Sequence, residues 1–157
     1  MIKALILLIL TNPVYANEQC ANTSSSFSCV KYVDNYDADT IKVDLHDVHP
    51  FFGKKLSVRL YGIDTPELRT KNKCEKELSI FAKEYTRKAL LIAKRIDLKN
   101  ISKGKYFRLV ADVMVDGRSL TENLLNEGFG YEYFGKTKEK PDWCKALDKY
   151  KRKPASK

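Results

Sequence analysis

The alternation of apolar and polar residues predicts strands in several parts of the chain. Residues 40–45 and 56–60 change between the two kinds at every step, which is the period of a strand that buries one face. The pair Asp116-Gly117 follows the last apolar run and indicates a hairpin turn. The predicted strands cover residues 27–33, 40–45, 56–60, 95–100 and 107–115.

A second pattern, with apolar residues every three or four positions, predicts helices. It extends over residues 75–95, where charged residues occupy the opposite face. Ser119 and Glu122 form a capping box that begins a short helix, and Gly128 can end it. A last amphipathic stretch covers about 141–152. The apolar face of the long helix is predicted to contain Leu78, Phe81, Ala82, Tyr85, Ala89, Ile92, Ala93 and Ile96.

Together these elements predict an α+β fold with five strands and about three α-helices. A turn is expected at residues 34–39 and a loop at 46–53, and neither a repeat nor a linker divides the chain. The strands can bury their shared apolar face in a small closed barrel or in a sandwich. Periodicity alone does not choose between these two.

The N-terminus has the three-part pattern of a secretory signal peptide. Lys3 supplies a positive charge, residues 4–10 are continuously apolar, and small residues precede a possible cleavage site after Ala16. A buried strand or a membrane anchor is the alternative, but the apolar run is short for an anchor. We therefore expect residues 1–16 to be removed, residues 17–157 to form a single domain, and the protein to be exported to the periplasm or the medium.

The four cysteines predict disulfide bonds if the chain is exported, because oxidising compartments favour them. Cys20, Cys29, Cys74 and Cys144 allow three pairings, and no pair has the tight spacing of zinc sites. We predict a local Cys20–Cys29 bond and a long-range Cys74–Cys144 bond.

The charge of the chain favours a polyanionic partner. Its 157 residues include 29 Lys and Arg against 20 Asp and Glu, which gives a formal net charge of +9. A basic surface suits nucleic acid or anionic lipid, or serves only solubility, and does not by itself decide between them. The sequence has no apolar run of the roughly 20 residues that span a bilayer, so no membrane anchor of that kind is predicted.

Acidic residues lie at the ends of two predicted strands. Asp37 and Asp39 occupy the turn before the strand at 40–45, and Asp64 and Glu67 follow the strand at 56–60. Turns at strand ends can converge in a barrel, and hard cations such as Ca²⁺ bind several oxygen ligands. Capping its own turn is the commoner role of such an Asp, and for each residue taken singly it is the preferred interpretation.

These segments, in their order and spacing, resemble the staphylococcal nuclease (thermonuclease) family. The resemblance covers about residues 27–135 and implies a five-stranded OB-fold β-barrel with helices. The stretch 58–67 is the most specific of the motifs. The four motifs are Asp37-Ala38-Asp39-Thr40, residues 58–67, Lys105-Tyr106-Phe107-Arg108 and Val115-Asp116-Gly117.

The resemblance implies Ca²⁺ as the cofactor. The carboxylates of Asp39 and Asp64 and the backbone carbonyl of Thr65 would be its ligands, and Asp37 would lie behind them. Ala38 replaces the usual Gly of the family. If that position needs a positive φ, the Ala side chain costs about 1 kcal/mol of strain, and we expect a small adjustment without loss of the metal.

The resemblance also implies roles for residues that contact the substrate. Arg59 and Arg108 would bind the reacting phosphate, and Glu67 would orient or deprotonate the attacking water. Lys105 and Tyr106 would contact a neighbouring phosphate. Two further residues are similar to base-contacting tyrosines of the family, Tyr131 and Tyr133.

The implied activity is hydrolysis of phosphodiester bonds in DNA and RNA by a monomeric enzyme, with 5′-hydroxyl and 3′-phosphate products. A divalent cation and two guanidinium groups can stabilise the negative charge that develops as water attacks. The alternative is an OB-fold protein that binds nucleic acid without cleaving it. Glu67 together with Arg59 and Arg108 favours the enzyme, because a protein that only binds does not need this combination.

Overall fold

The computed structural model describes residues 20–104, 108–138 and 141–153. The strands and helices in these ranges, in chain order, are β1 (Lys31–Asn35), β2 (Thr40–Asp44), α1 (Pro50–Gly53), β3 (Leu56–Leu60), β4 (Ile63–Asp64), α2 (Lys73–Ile92), β5 (Ile96–Lys103), β6 (Leu109–Val115), β7 (Arg118–Ser119), α3 (Leu120–Glu127), β8 (Tyr131–Glu132) and α4 (Trp143–Lys151).

The main sheet is curved and closes on itself. Its long strands follow the order β1-β2-β3-β6-β5, with β3 and β6 parallel and the other neighbours antiparallel. The segment before β1 reaches the far edge, because Phe27 forms a bridge with Leu98 and the Val30 N–H donates to the Ile96 carbonyl at 2.8 Å. Closure selects the barrel over the sandwich and confirms the predicted α+β, five-stranded OB-type fold.

Alternating residues of the strands fill the interior of the barrel. Ile41 and Val43 of β2 and Val58 of β3 are completely buried, as their period of two predicts. Helix α2 covers the barrel with one apolar stripe, which includes the buried Leu78 and Ala82. Burial of this shared face stabilises both the sheet and the helix, because each removes the other's apolar surface from water.

Two polar contacts fix α2 against the turn that leads into β2. The Thr86 hydroxyl donates to the Ala38 carbonyl at 2.9 Å, and the Asn35 amide donates to the Lys83 carbonyl at 3.1 Å. Asn35 and Thr86 are fully buried, so these bonds satisfy polar groups that water cannot reach. The longest helix thereby holds the turn that contains Asp37 and Asp39.

The helix prediction is wrong at Ile92 and Ile96, and Ala93, also predicted on the helix, is the C-cap that follows it. Helix α2 begins two residues earlier than predicted, at Lys73, because the Asn72 side chain accepts from the N–H groups of the first turn. It ends at Ile92, whose side chain is 81% exposed instead of buried. Ile96 is buried, but in strand β5. The predicted loop at 46–53 contains the four-residue helix α1, which is too short to show a helical period.

The hairpin and the short helix after it follow the predicted signals. Asp116 and Gly117 both have positive φ, 49° and 81°, as the turn between β6 and β7 requires. The Ser119 side chain accepts from the Glu122 N–H, and Gly128 ends α3 in the left-handed conformation.

Both disulfides have the predicted pairing, Cys20–Cys29 and Cys74–Cys144. The second joins the first turns of α2 and α4 across a separation of 70 residues. The proposed signal peptide, residues 1–16, lies outside the described residues. Among the helices that the structure describes, none combines the length and the apolar character needed to span a bilayer.

Candidate active site

Two acidic residues from separate segments contact one guanidinium group. Asp39, at the end of the turn before β2, is 1% exposed, and Asp64, in β4, is 4% exposed. Arg59 of β3 lies between them: its Nη1 contacts Asp39 Oδ1, and its Nη2 lies 2.7 Å from Asp64 Oδ1. Since both carboxylates contact the same side chain, the structure brings the two predicted acidic segments together.

Asp39 is held by the residue that follows Asp64. The Thr65 N–H and hydroxyl both donate to Asp39 Oδ2, at 2.9 and 2.7 Å. The Thr40 hydroxyl donates to the other oxygen at 3.2 Å. These bonds fix the orientation of a buried carboxylate and compensate for part of its lost hydration.

Ala38 carries none of the strain that a positive φ would impose. It is not among the described residues with positive φ, so its side chain occupies an ordinary backbone conformation. It is 1% exposed and packs in the core. The replacement of Gly by Ala is therefore compatible with the position of the two aspartates.

Asp37 precedes Asp39 by two positions in the same turn and has a partly buried carboxylate. Its Oδ1 is buried and has no hydrogen-bond partner among the described residues. Burial raises the pKa of this carboxyl, and the positive charge of Arg59, hydrogen bonds from Thr40 and the charge of Arg108 offset part of that rise. Asp37 and Asp64 line the same cleft, so a cation bound there would satisfy the oxygen that has no partner among the described residues.

Glu67 extends into solvent from a loop that the start of α2 holds. Its side chain is 53% exposed. Its backbone N–H donates to Glu75 Oε1 at 3.2 Å, and the Thr70 hydroxyl donates to Glu75 Oε2 at 2.6 Å. Glu75 thus fixes the loop, while the Glu67 carboxylate stays accessible to water.

Arg108 completes the set of charged residues along one cleft. The cleft has a volume of about 540 Å³, and Arg59, Asp64, Glu67 and Arg108 all line it. The Arg108 Nε is buried and has no hydrogen-bond partner among the described residues. Lys105 and Tyr106, the predicted contacts for a second phosphate, lie outside the described residues.

Comparison with known proteins finds similarity over the part of the chain that contains most of these charged residues. The profile of the family described as "Staphylococcal nuclease homologue" matches residues 57–156. The chain belongs to this family. The matched range contains Arg59, Asp64, Glu67 and Arg108, whereas Asp37 and Asp39 precede it.

Two relatives from Bacillus subtilis (strain 168) are similar to this chain over much of its length. "Endonuclease YncB" is 35% identical over 139 residues, which are 82% of this chain and 63% of that protein. "SPbeta prophage-derived endonuclease YokF" is 37% identical over 108 residues, which are 65% of this chain and 34% of that protein. The chain therefore spans less than two thirds of the length of either relative.

The donor atoms at this site suit a hard divalent cation such as the Ca²⁺ that the resemblance implies. The described residues contain no group of three or more His, Cys, Asp or Glu side chains arranged for a metal. If a cation binds here, the carboxylates of Asp39 and Asp64 and the Thr65 carbonyl, the ligands that the resemblance implies, would hold it, and water would supply the others. The unpartnered oxygen of Asp37 supports the fit, because a nearby cation would compensate its charge.

Two residues that contact the acidic site had no such role in the sequence analysis. Lys138 Nζ lies 3.0 Å from Asp64 Oδ2 and 3.2 Å from Glu67 Oε1. Burial lowers the pKa of Lys138, but the bonds and charges of these two carboxylates raise it more, so the net shift is upward. Tyr131, a predicted base contact, donates its hydroxyl to Asp64 Oδ2 at 2.8 Å. No motif includes Lys138, so only the folded chain reveals its contacts.

Proposed function

We propose that this family member is a Ca²⁺-dependent nuclease that hydrolyses phosphodiester bonds of DNA and RNA to 5′-hydroxyl and 3′-phosphate ends. The observation that supports it most is the joint contact of Asp39 and Asp64 with Arg59, beside a cleft that Arg59, Asp64, Glu67 and Arg108 line. The chain belongs to a nuclease family, and the two relatives are named as endonucleases, which agrees with this activity.

Arg59 and Arg108 are the proposed phosphate-binding residues. A guanidinium group remains protonated and can bond two phosphate oxygens at once. In the structure Arg59 forms ion pairs with both Asp39 and Asp64 and offsets one of their two negative charges. With those carboxylates engaged by a divalent cation, Arg59 would be available to a phosphate in the same cleft. Arg108 lines the same cleft, and its buried Nε has no hydrogen-bond partner among the described residues.

Glu67 is the proposed residue that orients the attacking water and accepts its proton. Its carboxylate lines the cleft and is half-exposed, so water can reach it. The backbone bond to Glu75 limits the movement of its loop. Bound Ca²⁺ would supply positive charge to the phosphate oxygens on which negative charge develops.

The roles of the two arginines can be tested by comparing Arg108→Ala with Arg118→Ala. Arg118 is exposed in β7 and does not line the cleft, so it is a matched control for the loss of one positive charge. Cleavage of a fluorescent single-stranded oligonucleotide should fall by about 10²- to 10³-fold in Arg108→Ala and change little in Arg118→Ala. Equal rates in the two variants would remove Arg108 from the mechanism.

The polarity of cleavage is testable on the products. A 5′-hydroxyl end accepts labelled phosphate from polynucleotide kinase directly, whereas a 5′-phosphate end must first be treated with a phosphatase. We expect direct labelling of DNA and RNA fragments. Labelling only after phosphatase treatment would contradict the proposed products.

Export and a single monomeric domain over residues 17–157 belong to the same proposal. The apolar run at residues 4–10 and two disulfides that oxidising compartments favour support export to the periplasm or the medium. N-terminal sequencing of the protein recovered outside the cytoplasm should begin near Asn17, and light scattering should give the monomer mass. An intact Met1 in that protein would contradict cleavage.

A further inference from the structure

Two aromatic rings at the rim of the cleft expose a large part of their surface. Tyr61 is 50% exposed and Phe134 is 58% exposed. Their ring centroids lie 5.6 Å apart, with planes inclined by 59°, and both line the cleft that contains Arg59 and Glu67. Exposed rings grouped beside charged residues form a surface suited to a ligand that is both aromatic and anionic.

The two rings are held in position by the backbone around them. The Thr121 hydroxyl donates to the Tyr61 carbonyl at 2.9 Å, and the Tyr133 N–H donates to the Gly62 carbonyl at 3.1 Å. Gly62 has a φ of +81°, and a Cβ at this position would lie 3.4 Å from Cε1 of Phe134. The Phe134 ring therefore packs against this turn, and the contact limits the freedom that the ring would lose when a ligand binds.

We propose that Tyr61 and Phe134 form a stacking platform for an unpaired nucleobase of a single-stranded DNA or RNA substrate. This inference rests on the proposed nuclease function and specifies its substrate. It concerns residues other than Tyr131 and Tyr133, to which the family resemblance assigns base contacts.

The chemistry of the cleft selects this occupant. Arg59, Arg108 and Lys138 line the cleft together with the carboxylates of Asp37, Asp64 and Glu67, so phosphates can meet cations there while the rings supply apolar faces for a base beside them. In a duplex each base face is covered by its neighbours, whereas an unpaired base can place its face on an aromatic side chain. Stacking of this kind tolerates all four bases, so the platform selects strand state and not sequence.

Binding in the presence of a chelator tests the platform separately from cleavage. Fluorescence anisotropy would measure the Kd of the full mature chain for a labelled ten-nucleotide thymidine strand and for an abasic strand of equal length and charge. Tyr61→Ala and Phe134→Ala should each raise the Kd for the thymidine strand about tenfold and leave the Kd for the abasic strand unchanged. Tyr61→Phe, which keeps the ring, should bind as the wild type does.

Phe51→Ala is the matched control. Phe51 is 82% exposed in α1, at the end of β2 and β3 away from the cleft, so its loss should change neither Kd. An equal loss on both strands, or no loss in either platform variant, would overturn the platform. If the wild type binds with this base dependence but cuts no nucleic acid, the nuclease proposal fails and the platform stands. If the wild type cuts nucleic acid while both platform variants bind the thymidine strand normally, the platform fails and the nuclease proposal stands.

Discussion

At the scale of single residues, Arg59 has two tasks that a mutation separates. It is the cation between two buried carboxylates, and it is the proposed ligand of the phosphate. A buried ion pair that loses one partner leaves an uncompensated charge, so the first task concerns stability. The second concerns only turnover.

We predict that Arg59→Ala lowers both properties. Stability should fall by about 3 kcal/mol because Asp39 and Asp64 lose their partner, and cleavage should fall by about 10²- to 10³-fold. Calcium should restore part of the melting temperature, since it replaces the missing positive charge, but not the rate. Thermal unfolding with and without calcium measures the first effect, and an unchanged melting temperature would show that Arg59 does not hold the carboxylates together.

Lys138 is a second residue whose effect can be predicted, because its ammonium group competes with the proposed cation for the carboxylates of the site. Its ammonium group contacts both Asp64 and Glu67, so a divalent cation must act against a charge that is already present. Lys138→Ala should tighten calcium binding by about two- to fivefold, the range for a half-exposed ion pair. Lys136→Ala, on the same loop but outside the cleft lining, is the control.

Calcium titration by calorimetry gives both affinities. The fluorescence of Trp143, the single tryptophan of the chain, provides a second signal, because its ring lies 6.1 Å from that of Tyr131, which binds Asp64. Equal tightening in the two variants would indicate a general effect of net charge.

The residues of the site were predictable where a motif contained them. Asp39, Asp64 and Arg59 stand in segments whose order and spacing resemble a known family, so their proximity followed from the sequence. Lys138 and the bond from Tyr131 to Asp64 depend on how β8 and the following loop return to β4, and no local pattern encodes that path. The burial of Asp37 Oδ1 likewise depends on tertiary contacts.

At the scale of elements, the Cys74–Cys144 bond connects both sides of the site. Cys74 precedes Glu75, which holds the Glu67 loop, and Cys144 follows Trp143, whose ring packs near Tyr131. The Cys20–Cys29 bond closes a loop with a separation of 9 residues before β1, and neither cysteine lines the cleft. The two bonds therefore allow a comparison of activity and stability.

Replacing Cys74 and Cys144 by Ser should lower stability by about 4 kcal/mol and also slow cleavage, because the supports of Glu67 and Asp64 loosen. Replacing Cys20 and Cys29 by Ser should cost about 3 kcal/mol and leave the cleavage rate close to that of the wild type at temperatures where the chain is folded. Chemical denaturation and steady-state kinetics on the same samples separate the two effects. Slower cleavage in both double variants would argue against a specific role of the first bond.

The loop between β2 and β3 contains a protonation-dependent contact. His46 Nδ1 lies 2.8 Å from Asp47 Oδ2, and its Nε2 lies 2.7 Å from the Ser28 carbonyl oxygen. Both partners are acceptors, so both ring nitrogens donate only in the imidazolium form. The bond to Asp47 and then the bond to Ser28 raise the pKa of His46, against a smaller opposing effect of burial.

A raised pKa in the folded state stabilises the fold below the ordinary pKa of the group, and this contribution is lost as the pH rises through the raised value. His46→Gln should therefore lower the melting temperature at about pH 5.5 and change it little at about pH 8.5. His49→Gln in the same loop is the control. A deficit in His46→Gln that is the same at both pH values would show that the charge of His46 is not involved.

At the scale of the whole molecule, barrel closure brings the acidic segments and the basic residues to one cleft. The strands were predictable because their alternation is local, and α2 because its apolar stripe is long. Closure was not predictable from periodicity, because Phe27 and Leu98, which form the closing bridge, are far apart in the sequence, and it followed only from the family resemblance. The isolated helix α1 and the exposed end of α2 are set by local packing, which the period does not report.

The central claim is that this cleft uses its acidic pair to support calcium-dependent cleavage of nucleic acid. The most direct measurement is cleavage of single-stranded and plasmid DNA by the purified chain, with calcium or with a chelator, beside the variant Asp64→Asn. We predict that the wild type cuts in calcium and stops in the chelator, and that Asp64→Asn stays folded and cuts in neither. Equal cutting by the wild type in both conditions, or full activity of Asp64→Asn, would contradict the claim.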